Sequence, residues 1–387
     1  MRYLDYHATT PVDRRVCDAM LPFFCETFGN PSSKTHAYGW DAADAVQQAR
    51  EQVARLVGAT AREVCFTSGG SEANNLALQG VARASRTRGD HIVTVATEHS
   101  SVIDTARYLQ EEGFRVTFLP VQPDGLIDLD RLQEAIDDRT IVVSVMAANN
   151  EIGVLQPISE AAAIAASRGV TFHTDAVQAA GKIPFNVSTL GVDLASLSAH
   201  KIYGPKGVGA LVVRRRKPPV AIAPLLHGGK HEHGLRSGTL NVPGIVGFGK
   251  AAELCAEEAE AEATRLRALR DRLLARLREL DGVVVNGSLE RRLPHNLNVG
   301  FERVEPEALL MSLGDIAVST GSACASASEA PSHVLTALGV GDDLARASIR
   351  FGLGRFTTDE DVDVAADRVV RAVTQLREKA SRLGIGR

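Results

Sequence analysis

Residues 64–80, VCFTSGGSEANNLALQG, contain a short apolar run, a glycine turn and the start of an amphipathic helix. The run Val64–Thr67 predicts a buried strand. Beyond the turn, apolar residues recur at helical spacing and form one face: Ala73, Leu76, Ala77, Gly80, Val81 and Ala84. The free N–H groups at the start of such a helix suit a phosphate. The GxxxxGK[ST] and GxGxxG patterns are missing here, so neither a nucleotide P-loop nor a dinucleotide fold is predicted.

The same alternation of strand and helix continues on both sides of this segment. A helix is predicted between Pro157 and Gly169, because proline favours a helix start and glycine a helix end. Strands separated by helices predict βαβ units in a mostly parallel sheet. Val208–Val213 follows the turn at residues 204–207 and could be an antiparallel neighbour. The buried strands predicted in this way are Val64–Thr67, His91–Thr97, Ile141–Met146, Val170–Thr174 and Leu194–Ser198.

The composition changes near residue 250. Residues 251–280 are almost entirely Ala, Glu, Leu and Arg, which predicts a long exposed helix. A smaller α+β domain is predicted beyond it. Its predicted elements are strands near Val283–Val285, at Leu297–Phe301 and at Ala347–Gly352, a helix at Pro306–Leu313 and a closing helix after Thr358.

Composition excludes several classes of protein. The 387 residues include 44% hydrophobic and 23% charged residues, which is ordinary globular usage. A net charge of −4 gives no general reason to bind nucleic acid or anionic lipid. No run of 18 apolar residues predicts a transmembrane helix, and no signal peptide is apparent. The five cysteines form no CxxC pair. We therefore expect a reducing, cytoplasmic compartment.

Three side chains at predicted strand ends suggest cofactor chemistry. Lys201 is one of only eight lysines among 43 basic residues, and a buried lysine can form a Schiff base. Taken by itself, Lys201 is better interpreted as a lysine in a surface turn. Lys206, which lies inside the predicted turn, fits that interpretation better than Lys201 does. Asp175 could meet a pyridinium nitrogen, or could equally be a helix N-cap. His99 could stack on a flat ring, although a lone histidine is more often structural.

Two further segments suggest a nucleophile and an anion site. Cys324 lies in a Gly/Ser/Ala loop, where an exposed thiolate can act as a nucleophile, whereas the other four cysteines are predicted to be buried and inert. Arg350 lies inside an apolar strand and requires an anion, either a substrate carboxylate or a structural partner. The histidines of residues 227–233 make an unlikely metal site, and residues 236–239 offer donors for a phosphate.

Together these segments resemble the cysteine desulfurase family, within the class V group of fold-type I pyridoxal-phosphate enzymes. The matching motifs occur in family order and cover essentially the whole chain, and the resemblance is closest to the housekeeping subgroup that supplies sulfur for iron–sulfur clusters and thio-modification. Ser71 stands where the family usually has Thr. The motifs are residues 3–11, 29–32, 97–99, 149–153, 173–178, 198–201, 236–239, 321–324 and 348–351.

The resemblance implies a role for each matching residue. Lys201 would carry pyridoxal 5'-phosphate and move the Cα proton. His99 would be a catalytic residue that stacks on the ring and helps acid–base steps. Cys324 would attack the sulfur of L-cysteine, leaving a persulfide and releasing L-alanine, and it could transiently ligate a cluster. Asp175 would bind the ring nitrogen and Gln178 the phenolic oxygen. The substrate carboxylate would be bound by Asn150, which also lies beside the cofactor, and by Arg350. The phosphate would be bound by Gly70, Ser71, Ser198, His200 and the other subunit's Thr239.

The resemblance also implies the architecture and the partners. The fold would be α/β, with a mostly parallel seven-stranded sheet. A large cofactor-binding domain would span residues 15–255, and residues 1–14 and 256–387 would form a small domain that carries the cysteine loop. We expect a homodimer whose partner protein is a sulfur acceptor or an iron–sulfur scaffold. We do not expect it to bind nucleic acid, a membrane or a resident metal. The chain ends without the C-terminal extension that many relatives use to dock a scaffold, which leaves the acceptor open.

Four other functions compete with this interpretation. A class V aminotransferase or a selenocysteine lyase would use the same cofactor site, but transamination needs no loop thiol. An idle cofactor-binding protein would not need the full set of reactive side chains. A nicotinamide oxidoreductase would need the glycine fingerprint that is missing.

Overall fold

A computed structural model describes residues 1–320 and 331–382 of the chain. The strands are β1 (Arg2–Tyr3), β2 (Val64–Thr67), β3 (His91–Val95), β4 (Arg115–Leu119), β5 (Thr140–Ser144), β6 (Thr171–Asp175), β7 (Leu194–Ser198), β8 (Gly209–Val213), β9 (Val283–Val285), β10 (Asn296–Phe301), β11 (Ile316–Ala317) and β12 (Ser348–Gly352). The α-helices are α1 (Arg14–Met20), α2 (Pro22–Cys25), α3 (Ala37–Leu56), α4 (Gly70–Ser85), α5 (Ser100–Glu111), α6 (Leu129–Ala135), α7 (Ile158–Ser167), α8 (Val242–Leu277), α9 (Pro306–Ser312), α10 (His333–Ala337), α11 (Asp342–Arg346) and α12 (Asp359–Arg382).

A seven-stranded sheet forms the centre of the molecule, with strand order β2-β8-β7-β6-β5-β3-β4. Strands β4, β3, β5, β6 and β7 pair in parallel, and β8 pairs antiparallel with both β7 and β2. The predicted α/β class, the mostly parallel seven-stranded sheet and the antiparallel strand β8 are therefore confirmed. Since β2 and β7 are both antiparallel to β8, they run in the same direction, and β2 ends at the same edge of the sheet as the parallel strands.

Both faces of this sheet are covered, which explains why its strands are continuous apolar runs. Every residue of β2, β3, β5, β6 and β7 is buried. Successive residues alternate between two clusters, as the pleat requires: Phe66 and Val93 belong to one cluster, and Cys65 and Ile92 to the other. The sequence pattern missed β4, because this edge strand exposes or half-exposes four of its five residues.

A second core lies outside the central sheet. It contains Leu4 and residues from Leu266 to Val373, packed around the three-stranded sheet β12-β10-β9. The cluster that includes Val16 extends to Cys255 and Leu293. Most members of the two sets lie on either side of residues 14 and 255, but Leu293 packs with the first set, and the domain boundaries stay a prediction. Within residues 1–320 and 331–382, every helix is too short or too polar to span a bilayer.

The long helix α8 differs from its prediction. It begins at Val242, nine residues before the predicted start, and its first half is largely buried rather than exposed. Glycines allow this burial: a Cβ at Gly249 would lie 2.5 Å from the Cα of Ala49 in α3, and one at Gly247 would lie 2.5 Å from the sulfur of Met20 in α1. The prediction of an exposed helix over residues 251–280 was wrong because leucines on one side of it, among them Leu254, Leu266 and Leu273, pack into the two cores.

Candidate active site

One cavity of about 350 Å³ lies at the carboxyl edge of the central sheet, where open α/β sheets bind ligands. Its walls come from the segments that follow β2, β3, β5, β6 and β7, together with β12 and the chain near residue 7. Ten of the twelve predicted site residues line it: Gly70, Ser71, His99, Asn150, Asp175, Gln178, Ser198, His200, Lys201 and Arg350.

One end of the cavity is the N-terminus of α4. The preceding residue, Gly69, supplies no side-chain cap, so the first-turn N–H groups are left for a ligand, and the helix dipole favours an anion there. A Cβ at Gly70 would come 2.7 Å from the Val177 side chain, so only glycine fits this close approach. Burial and two nearby lysines lower the pKa of His200 to about 4, which leaves a neutral imidazole beside this anion site.

Lys201 reaches the cavity from the short turn that follows β7. Its ammonium donates to the carbonyl oxygens of His7 and Ala8, the latter at 2.8 Å. The His7 ring is buried, and its Nε2 accepts from the Asn296 amide at 3.0 Å, so its proton lies on Nδ1. That Nδ1 therefore donates to the Gln178 Oε1 at 3.1 Å, and the Gln178 amide nitrogen donates back to the His7 carbonyl at 3.1 Å. His7 thus fixes the orientation of Gln178.

Asp175 ends β6 with its carboxylate in a polar cradle. It is 5% exposed, and each of its oxygens accepts one hydrogen bond. The Val177 backbone N–H donates at 2.9 Å, and the Asn74 amide donates at 2.7 Å. Such donors stabilise a carboxylate anion, which can in turn hold a cationic N–H in the cavity.

His99 follows β3 and caps α5, accepting at its Nδ1 from the Ser101 backbone N–H. Burial lowers the pKa of His99 and the Lys201 charge adds to this, while Asp175 opposes it. The ring is therefore neutral at physiological pH. A neutral imidazole on the cavity wall suits contact with a flat aromatic ligand.

Arg350 forms the end of the cavity nearest the small sheet. Its guanidinium pairs with Asp5 at 2.7 Å and donates to the Asn150 carbonyl at 2.9 Å. A structural ion pair is thus present, yet Arg350 also lines the cavity. Its Nε is buried without a partner among the described residues, and so is the Asn150 side-chain oxygen. A buried guanidinium with an unsatisfied N–H suits a ligand carboxylate.

These groups together fit a ligand that carries a phosphate, a cationic ring nitrogen and an aldehyde. The α4 N-terminus matches the phosphate, Asp175 matches the ring nitrogen, and Lys201 supplies an amine for the aldehyde. Arg350 adds a cation to the same cavity wall, which suits the carboxylate of a second molecule.

Two predicted site residues remain, Thr239 and Cys324. Thr239 lies on the exposed surface, after a segment in which Arg236 pairs with Glu72 at 2.9 Å. Cys324 and its neighbours in residues 321–330 lie outside the described residues.

The prediction that the other four cysteines are buried was wrong for two of them. Cys65 and Cys255 are buried, but Cys17 is partly exposed and Cys25 is exposed. Phe24, the apolar neighbour of Cys25, is itself 58% exposed, whereas Val16 beside Cys17 is fully buried, so an apolar neighbour did not decide the burial of either thiol.

Sequence reasoning missed three polar residues of the cavity wall, His7, Asn74 and Ser101. Asn74 follows Gly70 by four residues and precedes Ala77 by three, so it lies on the buried side of α4. A polar residue on that apolar face was the signal that could have identified it. Ser101 lies two residues after His99, at the start of α5, where a hydroxyl more often caps the helix.

Comparisons with known proteins agree with this geometry. The family model described as aminotransferase class-V matches residues 2–364. The chain is 59% identical over 377 residues to the cysteine desulfurase IscS of Anaeromyxobacter sp. (strain Fw109-5), covering 97% of this chain and 93% of that one. It is 54% identical over 376 residues to the cysteine desulfurase IscS of Methylococcus capsulatus (strain ATCC 33009 / NCIMB 11132 / Bath), with the same coverage.

The fold of the chain is also similar to those of solved structures. A structure titled NIFS-like protein superposes with a TM-score of 0.90 at 40% identity, covering 97% of this chain and all of that chain. A structure titled SspA in complex with cysteine superposes with a TM-score of 0.83 at 38% identity, covering 92% of this chain and all of that chain.

Proposed function

The chain belongs to the cysteine desulfurases of the class-V aminotransferase family, which depend on pyridoxal phosphate, and we propose specific roles for its residues in removing sulfur from L-cysteine. The observation that carries this assignment is the meeting of Lys201, Asp175, His99 and Arg350 in one cavity. An amine, an acceptor for a ring N–H, a neutral imidazole and a carboxylate-binding cation are the groups that this chemistry requires.

The cofactor is held by groups at both ends of the cavity. The N-terminus of α4 binds the phosphate through Gly70 and Ser71, assisted by Ser198 and His200. Asp175 holds the proton on the ring nitrogen, and Gln178 faces the phenolic oxygen in the orientation that His7 imposes. Lys201 binds the cofactor covalently. When bound, the ring withdraws electrons from the substrate Cα, which makes its proton acidic.

The substrate carboxylate is oriented by Arg350 and Asn150. Arg350 lines the cavity and its hydrogen bond to Asp5 fixes the guanidinium there, which supports this role. With the carboxylate fixed there, the substrate amine faces Lys201. Lys201 then takes the Cα proton as a base.

Cys324 completes the reaction as a nucleophile. Its thiolate attacks the substrate sulfur, so that a sulfur–sulfur bond forms on Cys324 while the Cβ–S bond of the substrate breaks. The electron pair of that bond stays on the substrate carbon, which is protonated and leaves as L-alanine. The persulfide on Cys324 is then passed to an acceptor protein for iron–sulfur cluster assembly or thio-modification.

We further propose that two copies of the chain form a dimer with shared sites. Thr239 is exposed and lies outside its own cavity, which supports a role in the phosphate site of a second copy. Exposed apolar side chains support the same arrangement, because second copies commonly cover such surface. Five large apolar residues are each more than half exposed, and two of them, Phe28 and Tyr38, have ring centroids 5.3 Å apart. The five are Leu21, Phe24, Phe28, Tyr38 and Trp40.

A cytoplasmic location agrees with the proposed mechanism. Cys324 must stay reduced between turnovers, and the cytoplasm keeps thiols in that state. The acceptor is expected to be a protein thiol or an iron–sulfur scaffold, and neither nucleic acid nor membrane is expected to be a partner.

Product analysis tests the activity directly. The purified protein, loaded with pyridoxal phosphate and supplied with L-cysteine and a reductant, should release alanine and sulfide in equal amounts. Lys201→Ala should abolish both products, whereas the exposed Lys206→Ala should retain them. Release of a keto acid instead of alanine would indicate an aminotransferase and contradict the proposal.

A further inference from the structure

Asn74 links two side chains that reach the cavity from different elements. Its amide nitrogen donates to the Asp175 carboxylate at 2.7 Å and to the Ser101 hydroxyl oxygen at 2.9 Å. An ionised carboxylate can only accept, so Asp175 fixes which end of the Asn74 amide faces it. The opposite atom, the Asn74 oxygen, is buried without a partner among the described residues. The orientation of Asn74 is therefore set by Asp175.

Ser101 connects Asn74 to His99 through hydrogen bonds. The Ser101 backbone N–H donates to the Nδ1 of His99 at 3.1 Å, so this nitrogen carries no proton of its own. The Ser101 hydroxyl oxygen lies 2.8 Å from the same nitrogen. Because Asn74 already donates to that hydroxyl oxygen, the hydroxyl hydrogen is free to point at Nδ1. Two donors thus converge on one nitrogen, and a neutral ring must carry its proton on Nε2.

The charges around His99 are balanced in favour of the neutral ring. Asp175 and Asp104 favour the protonated form, while Lys201 and His333 oppose it. Burial is the strongest influence and also opposes the charge, so the pKa of His99 lies below its ordinary value. At neutral pH, Asn74 can therefore donate to Asp175 and to Ser101 while Ser101 donates to the unprotonated Nδ1 of His99.

We propose that Asn74 and Ser101 are positioning residues that fix His99 as an Nε2–H donor toward the cavity. In this state, His99 can donate a hydrogen bond to a cavity ligand but cannot take a proton at Nε2. The Cα proton must then go to Lys201 rather than to His99. This inference rests on the proposed function for the identity of the ligand, but the direction of the chain rests on the hydrogen bonds alone.

The protonation state of His99 can be measured independently of turnover. In cofactor-loaded protein labelled with ¹⁵N in the histidine rings, NMR should show His99 with its proton on Nε2, assigned by comparison with His99→Gln. Ser101→Ala removes the hydroxyl donor from Nδ1 and so destabilises the neutral ring. Asn74→Ala frees the Ser101 hydroxyl oxygen to accept from a protonated Nδ1, which stabilises the charged ring. We therefore expect either variant to lower the ratio of neutral to protonated His99 by about five-fold at a given pH, as expected for one hydrogen bond.

Neighbouring residues provide matched controls for both variants. Ser100→Ala and Asn75→Ala make the same changes one residue away on the same helices, and neither side chain bonds to His99 or Asp175 among the described residues. These controls should leave the His99 titration unchanged. The titrations of the other histidines report whether each variant is folded.

Two results would overturn the inference: a proton on Nδ1 of His99 in the wild-type protein, or an unchanged His99 titration in a folded Ser101→Ala variant. The outcome is separable from that of the proposed function. A protein that makes no alanine but shows the expected His99 signals refutes the function alone, and the reverse pattern refutes only the inference.

Discussion

Replacing Glu151 by glutamine should make the stability of the protein less dependent on pH. Glu151 is 4% exposed and lies in the turn next to Asn150. Its side chain accepts the Ser332 hydroxyl hydrogen at 2.5 Å, and its backbone carbonyl accepts from Asn296 and Asn298 of β10. Burial raises the pKa of Glu151 to about 7, although Ser332 and Arg350 partly oppose this.

The sign of the effect follows from the two states of this carboxyl group. Its pKa is about 7 when folded, against an ordinary value of 4.5, so the folded protein binds the extra proton between these values. Stability is therefore greatest below the unfolded value and is lost as the pH rises through about 7. Between pH 5 and pH 8 this loss amounts to about 2.5 kcal/mol for a single group. Glutamine does not ionise, so the variant lacks this loss.

Urea unfolding at pH 5 and pH 8 measures this difference. The free energy of unfolding of the wild type, minus that of Glu151→Gln, should fall by about 2.5 kcal/mol between the two conditions. Glu160→Gln provides the control, since it removes the same formal charge from an exposed position on α7 and should follow the wild type. A difference between wild type and Glu151→Gln that stays constant with pH would refute the argument from burial.

Three further predictions concern the cofactor and the substrate. Borohydride should bleach the yellow protein and attach the cofactor to the peptide that contains Lys201; a label on Lys206 would contradict the assignment. Thr239→Val should weaken cofactor binding. A mixed dimer of one Thr239→Val subunit and one Lys201→Ala subunit should regain one intact site, because that site combines the intact Lys201 of one subunit with the intact Thr239 of the other. An active monomer in sedimentation would exclude shared sites. Arg350→Lys should raise KM for L-cysteine about ten-fold, through loss of bidentate binding, whereas the exposed Arg346→Lys should not.

The central sheet could be predicted from the sequence because its strands are buried on both faces. The predicted bounds of β2 and β7 match those of the structure, and those of the other predicted strands of the central sheet differ by at most two residues at either end. Edge strand β4 alternates too weakly to be detected from its pattern. The start of α8 was missed because Gly247 and Gly249 pack without apolar side chains.

The site was predictable where a residue stands at a strand end and matches a family motif. Lys201 and Asp175 follow this rule, and both line the cavity. Asn74 and Ser101 act through contacts between helices α4 and α5, which only the tertiary structure brings together. The exposure of Cys25 was unpredictable for a related reason: apolar neighbours imply burial only if they face the core of the same chain.

Persulfide mapping tests the central claim most directly. After incubation with L-cysteine in the absence of reductant, the wild-type protein should carry the persulfide on the peptide that contains Cys324. In Cys324→Ser, L-cysteine should still change the cofactor absorbance, because that step does not involve residue 324, while persulfide and alanine should fall to background. Cys25→Ser, which alters an exposed thiol, should retain both. Near-wild-type alanine production by Cys324→Ser, or a persulfide that depends on one of the other four cysteines, would contradict the proposed mechanism.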